Sequence, residues 1–189
     1  MLEKIKESLN RLAPMKEEDW CFFASRLQKK VVPSKQLLIK KNTIEQHLSF
    51  LEEGVVRYFI PKEENDLTFS FAFESEFCSA YDSFLTQKPC YYQIETLTTS
   101  TLWQLSYIDL QEIYQETKIG QEIGRRAAEE LFLKKFKREM ILLHQSAEER
   151  YLALFEESPK LILQIPLKYI ATYIGVTPQA LSRIRKRIS

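Results

Sequence analysis

Apolar positions near the start of the chain recur at helical spacing: Ile5, Leu9 and Leu12 stand four and three residues apart until Pro14 interrupts the row. A second stripe follows, with Trp20, Phe23, Ala24 and Leu27 inward, so residues 2–30 are read as helical. From Val31 the period shortens. The runs VVPSKQLLIKK, LSFLEEGVVRYFI, LTFSFAF and YYQIETLTTSTLWQLS are rich in β-branched and aromatic residues, which suit a pleated, half-buried surface. Turn-forming stretches separate them: Pro33-Ser34, Glu63-Glu64-Asn65-Asp66 and Lys88-Pro89. Short strands at this spacing predict a compact antiparallel β barrel or jelly roll.

Helical spacing returns after Tyr107. Ile108-Asp109-Leu110 opens a short helix, and a proline-free stretch from Ile119 to Gln145, rich in Glu, Lys, Arg, Ala and Leu, predicts a long one. Ile123, Ala127 and Leu131 form one apolar row on it; Phe132, Phe136, Met140 and Leu143 form a second. Two rows imply contact on two sides, one with the β domain and one with a partner helix. Ser146 followed by Glu149 has the spacing of a capping box, which starts another helix at Ala147 and running to about Glu157. Pro159 ends it, and Leu161 to Ile165 reads as a short strand before Pro166.

The segment LKYIATYIGVTPQALSRIRKR meets the steric demands of a helix-turn-helix. Leu167 through Ile174 makes a first helix with Ile170 and Ile174 inward, and Ala171 is small enough for two helices to cross there. Gly175 accepts the positive φ of a tight turn, and Val176 plugs the gap between the helices. Thr177 is a good N-cap, with Pro178 in the first helical position, where its missing N–H costs nothing. The second helix buries Leu181 and Ile184 and turns Gln179, Ser182, Arg183 and Lys186 outward. In such a unit the second helix enters the major groove. Gln179 is then suited to adenine and Arg183 to guanine, with Ser182 at base or phosphate and Thr177 at a phosphate. Lys168, Arg185, Lys186 and Arg187 are candidates for neutralising backbone phosphates.

Charge agrees with that reading. The net charge of the 189 residues is only +1. From Ser158 to the end, however, there are six basic residues and no acid, which leaves −5 on everything before. A basic module on an acidic body is the footprint of a nucleic-acid binder. Other chemistry is poorly represented. Cys21, Cys78 and Cys90 are scattered, and with His47 and His144 the only histidines no metal-ligand cluster forms. No Ser/His/Asp, Cys/His or Gly-rich phosphate motif points to an enzyme, and catalytic residues are not expected. No stretch approaches the roughly 20 apolar residues of a membrane span, and the N-terminus lacks a secretory pattern. The expected location is the cytoplasm.

In this order of elements the sequence resembles the Crp/Fnr family of transcription regulators, over nearly the whole chain. The most specific part is SAEERYLALFEESPKLILQIPLKYIATYIGVTPQALSRIRK, similar to the family's capped helix, proline, strand and two motif helices. LSFLEEGVVRYFI resembles its strand–Glu-Gly–strand turn, with Gly54 at the bend. The resemblance implies an α+β fold. An N-terminal antiparallel β roll, jelly-roll-like and of the cyclic-nucleotide-binding type, occupies residues 1–118 with flanking helices. A long dimerisation helix spans 119–145, with Ile123, Ala127 and Leu131 as candidate dimer residues, and a helix-turn-helix DNA-binding domain spans 146–189. Double-stranded DNA and a second copy of the chain are the expected partners, with RNA polymerase as a further one and no membrane.

The effector site departs from the family. Cyclic-nucleotide binders use a Gly-Glu pair at the ribose and an Arg-Ser or Arg-Thr pair at the phosphate; the matching places here are Ser75-Glu76 and Cys90-Tyr91. Glu76 is kept, but the phosphate-gripping arginine is not, and Lys88 nearby is a poorer bidentate match. Cyclic AMP and cyclic GMP are therefore not expected and no cofactor is predicted; the pocket is expected either to be filled by Phe71, Phe73, Phe77, Tyr91 and Tyr92 or to take another small-molecule effector. His47 and Cys78 are the residues that could offer a haem ligand, though a lone histidine is more often surface or core. The family's iron–sulfur cysteine cluster is absent, and its wing after the recognition helix is not expected, so that the wing's phosphate contacts are expected to be missing or replaced by Arg185-Lys186-Arg187. The alternative reading is a ligand-binding or protein-interaction module whose helix-turn-helix serves only for packing.

Overall fold

The row Ile5, Leu9 and Leu12 forms one buried face on helix α1 (Leu2–Leu12), and α2 (Glu17–Ala24) buries Trp20 and Phe23 beside it. The computed structural model describes residues 2–188. After α2 the chain enters a strand sooner than its periodicity suggests. Strand β1 (Gln28–Val32) pairs antiparallel with β8 (Ser100–Ser106), Gln28 opposite Gln104 and Val32 opposite Ser100. Residues 28–30, read from the sequence as helix, are thus strand, because a partner far along the chain supplies a ladder that local propensity cannot show.

Between them lie β2 (Leu37–Ile39), β3 (His47–Glu53), β4 (Val56–Ile60), β5 (Leu67–Ala72), β6 (Phe77–Cys78) and β7 (Gln93–Thr96). They form two four-stranded sheets in the orders β1-β8-β3-β6 and β2-β7-β4-β5, the predicted β roll. Gly54 makes the β3–β4 bend at φ +110°, where an added Cβ would stand 2.3 Å from Ser100 Oγ. A short helix that the sequence reading did not include, α3 (Tyr81–Thr86), follows β6.

Helix α4 (Tyr107–Glu116) is capped by Ser106, whose side chain accepts from Asp109 N. Its Leu110 and Ile113 join Ile5, Leu9, Trp20, Phe23, Phe50, Phe84 and Leu105 in one apolar core, with Ile123 packed at the edge. The long helix is α5 (Lys118–His144). Then come α6 (Ala147–Glu157), α7 (Pro159–Gln164), α8 (Leu167–Tyr173) and α9 (Pro178–Ile188). The capping box is present: Ser146 N donates to Glu149 Oε2 at 2.7 Å, and Glu149 N donates to Ser146 Oγ at 3.2 Å. The strand expected over Leu161–Ile165 is instead α7 and its C-cap, Ile165. Pro159 at the first helical position presets the helical φ, and among the described residues both sheets are built from β1 to β8, none of which pairs with this run.

The chain divides into two units, one of Met1–Tyr58 with Phe71–Leu131, the other of Phe59–Ser70 with Phe132–Ser189. The first contains most of the β roll and the core above. The second has its own core of Tyr151, Leu154, Leu161, Ile165, Ile170, Ala171, Ile174, Leu181 and Ile184, and it includes the tip of the β4–β5 hairpin.

Candidate nucleic-acid interface and β-roll cavity

The turn between α8 and α9 is built by single residues doing what only they can do. Ile174 closes α8, its N–H reaching Ile170 O at 2.9 Å, and Gly175 follows at φ +81°. Val176 N then returns to Ala171 O at 2.9 Å, which folds the chain back over α8. Thr177 Oγ1 accepts from Ala180 N at 3.2 Å, an N-cap bond that satisfies one orphan donor of α9. Ile170 and Ala171 are fully buried, and Leu181 and Ile184 from α9 close over them.

The opposite face of α9 is left to solvent. Gln179, Ser182, Arg183, Arg185, Lys186 and Arg187 are all exposed, as are Thr177 before the helix and Lys168 on α8. The structure thus gathers every predicted DNA-contacting residue in the unit that carries α8 and α9. Among them, Arg187 pairs with Glu148 of α6 at 2.6 Å, and the Lys168 ammonium sits 4.8 Å over the Tyr169 ring.

The β roll encloses a cavity of about 50 Å³ lined by Lys30, Leu38, Glu45, His47, Ser49, Cys78, Ser79, Ile94 and Gln104. Glu76, Cys90 and Tyr91 do not line it. The Glu76 carboxylate turns back onto Phe73 N at 2.9 Å, within the β5–β6 turn. Cys90 is buried with its thiol near the Lys40 and Tyr92 carbonyls, and Tyr91 is largely exposed. Of the aromatic residues expected to fill a pocket, Phe71 and Tyr92 are buried, Tyr92 bonding to Asp82.

The sequence reading missed Glu45, the buried carboxylate of the cavity wall. Its oxygens accept from His47 N at 3.0 Å and Ala80 N at 3.3 Å, while burial pushes its carboxyl up from the ordinary range. Burial holds His47 below its usual value and drives the Cys78 thiol up to about 12. Such a thiol is a poor source of thiolate, and the space is far too small for haem. Among the described residues no three His, Cys, Asp or Glu stand together as metal ligands.

The long helix presents its two rows differently. Ile123, Ala127 and Leu131 are half-buried, Ile123 against the core of the first unit. Phe132, Phe136, Met140 and Leu143 are exposed, with Phe132 and Phe136 stacked at 6.2 Å.

The sequence reading also missed two arginines at the end of α8. Arg138 of α5 donates to Tyr173 O at 2.6 Å and lies 3.7 Å from the centre of the Tyr173 ring. Arg150 of α6 donates to Ile174 O at 2.8 Å and to the Gln145 carbonyl. Nothing in sequence marks either one as a partner of the α8 end, since the carbonyls of Tyr173 and Ile174 that they reach lie 35 and 24 residues away.

Residues 29–117 match the cyclic nucleotide-binding domain family. A search of curated protein sequences gives no significant match. Among solved structures, the c-di-GMP responsive global regulator CLP of Xanthomonas campestris is similar at TM-score 0.69 and 16% identity, over 92% of this chain and 91% of that one. A CooA mutant from Carboxydothermus hydrogenoformans matches at TM-score 0.72 and 14% identity, over 95% and 83%. A transcriptional regulator assigned to the Crp/Fnr family, from Eubacterium rectale, matches at TM-score 0.72 and 14% identity, over 92% and 83%. At such identities the likeness establishes the fold.

Proposed function

We propose that this chain, with a cyclic nucleotide-binding domain at residues 29–117 in the fold of Crp/Fnr-family regulators, is a homodimeric, sequence-specific DNA-binding transcription regulator. The observation that carries the reading is the exposed face of α9 beyond a correctly built turn: Gln179, Ser182, Arg183 and Lys186 together, in a segment without a single acid. Placed in a major groove, Gln179 offers a bidentate match to adenine and Arg183 to guanine O6 and N7. Thr177 at the helix start is placed to hydrogen-bond a backbone phosphate, and Lys168, Arg185 and Lys186 neutralise phosphates. Arg187 joins them by exchanging the Glu148 carboxylate for a phosphate.

The division of labour follows the order of elements: residues 1–118 as sensor-type β roll, 119–145 as dimer helix and 146–189 as reading head. The exposed row Phe132, Phe136, Met140 and Leu143 is the surface a second copy would cover, continuing the line of Ile123, Ala127 and Leu131 along α5. The sensor no longer listens for a cyclic nucleotide. A cyclic phosphate needs a bidentate guanidinium partner, and no arginine stands at Cys90-Tyr91; the cavity around Glu45, His47 and Cys78, at about 50 Å³, does not hold a nucleotide either.

Titrating the full chain against a random-sequence duplex pool tests the first half of this reading. Affinity should fall steeply as salt rises from about 50 to 200 mM, as counterion release requires; salt-insensitive or undetectable binding would count against it.

A further inference from the structure

Three consecutive residues at the end of α8 are each held by a different element. Thr172 Oγ1 accepts from Thr68 N of the β4–β5 hairpin at 3.2 Å, Tyr173 O from Arg138 of α5 at 2.6 Å, and Ile174 O from Arg150 of α6 at 2.8 Å. All of these residues lie within the second unit. The last carbonyls of a helix lack partners along their own helix and carry its negative end, so cations are favoured there. Water could satisfy them equally well at an exposed helix end. Here the donors are two guanidiniums, neither paired with a carboxylate among the described residues. Arg138 is buried enough that its pKa falls below the ordinary value, and the charge of Arg150 lowers it further.

What the two arginines achieve is mechanical. Arg150 bonds both the carbonyl of Gln145, just beyond the last residue of α5, and that of Ile174, so it bridges the long helix and the motif turn. Arg138 bridges α5 to the same turn directly, its guanidinium carbon 3.7 Å from the centre of the Tyr173 ring. The α5–α6 junction itself is two residues long, and the buried Gln145 Oε1 there has no hydrogen-bond partner. Besides backbone continuity, the exposed Lys137–Glu157 pair at 3.2 Å ties α5 to α6; the arginines are what tie this joint to the end of α8. Because α8 and α9 share one buried core, the angle of α8 is also the angle of α9.

We infer that Arg138 and Arg150 are positioning residues that set the angle at which α5 carries the reading helix, and with it the half-site separation a dimer accepts. The inference rests on the proposed function, since only a dimer reading two half-sites has a separation to set. The lever is sensitive: each base pair added between half-sites moves the second one by about 3.4 Å and turns it by about 35°.

The test uses the full chain and a series of palindromic duplexes carrying one selected half-site sequence at centre spacings varied in single base pairs. Affinities are read by fluorescence anisotropy, with a duplex bearing a single half-site as reference. Wild type should prefer one spacing by about tenfold or more over its neighbours, a difference of about 1.4 kcal/mol. Arg138→Ala and Arg150→Ala should flatten that preference to within about threefold while single half-site affinity stays near the wild-type value. Arg138→Lys and Arg150→Lys retain the charge but lose the planar fork; they should flatten it as well, and they serve where an alanine variant does not fold. Variants weakened equally at every spacing, with the preference intact, overturn the inference alone. Wild type binding no palindrome better than the single half-site overturns the dimeric-regulator reading and the inference with it.

Discussion

At Gly175 the backbone stands in the left-handed region, φ +81°, and a Cβ added there would meet only Arg150 Nη2 at an ordinary 3.6 Å. Backbone strain rather than crowding therefore decides the outcome, and Gly175→Ala should lower stability by about 1–2 kcal/mol in chemical denaturation. Ala171 is the opposite case: fully buried where α8 crosses α9, so Ala171→Leu should cost about 1–3 kcal/mol through overpacking. A loss under half of that in both would mean the turn is looser than drawn. These positions were legible in the sequence because each carries a local demand that one residue type meets. Glu45 was not, since its donors, the Ala80 and His47 amides, are brought to it by the fold. Burial raises its folded pKa above the ordinary value, so its stabilising contribution is full below the unfolded pKa and is lost as pH climbs through the folded one. His47, held low by burial, has the opposite sign, and comparing wild type with Glu45→Gln isolates the carboxylate. The melting-temperature advantage of wild type over that variant should grow as pH is lowered from neutrality toward the ordinary carboxylate range; an advantage independent of pH would contradict the assignment.

Elements were read well where their pattern is local and poorly where it is not. The capping box and the two motif helices stand where Ser146, Glu149, Thr177 and Pro178 put them. Residues 28–30 and the run Leu161–Ile165 were misread for one reason: being a strand depends on a neighbour, gained by β1 from β8 and lacking for α7. Helix α5 poses the element-scale test. A long helix whose second half exposes Phe132, Phe136, Met140 and Leu143 leaves an apolar stripe that a second helix would cover. Phe136→Glu should shift sedimentation velocity from dimer to monomer at micromolar concentration while leaving helical content and cooperative unfolding in place. A wild-type chain already monomeric under those conditions, or a variant still dimeric, would place the dimer contact elsewhere.

Across the whole molecule an acidic body carries a basic head, and the sign asymmetry that composition reveals is the same one that α9 displays on its exposed face. The absence of arginine at Cys90-Tyr91 is plain in the sequence, but not the small polar cavity around Glu45, whose walls come from several separate strands and loops. The roles of α9 residues separate cleanly at this scale. Arg183→Ala should cost about 1–3 kcal/mol and relax one base position, whereas Lys186→Ala should weaken all sequences alike and reduce the salt slope by about 0.9. The most direct test of the central claim is selection of bound sites from random duplex DNA by the purified full chain, run beside a variant in which Gln179, Ser182 and Arg183 are replaced by alanine. A two-fold-symmetric consensus with half-sites about 34–36 Å apart, lost or relaxed in the variant, is the predicted result. Enrichment no greater than that of the variant, or a consensus without two-fold symmetry, would contradict it.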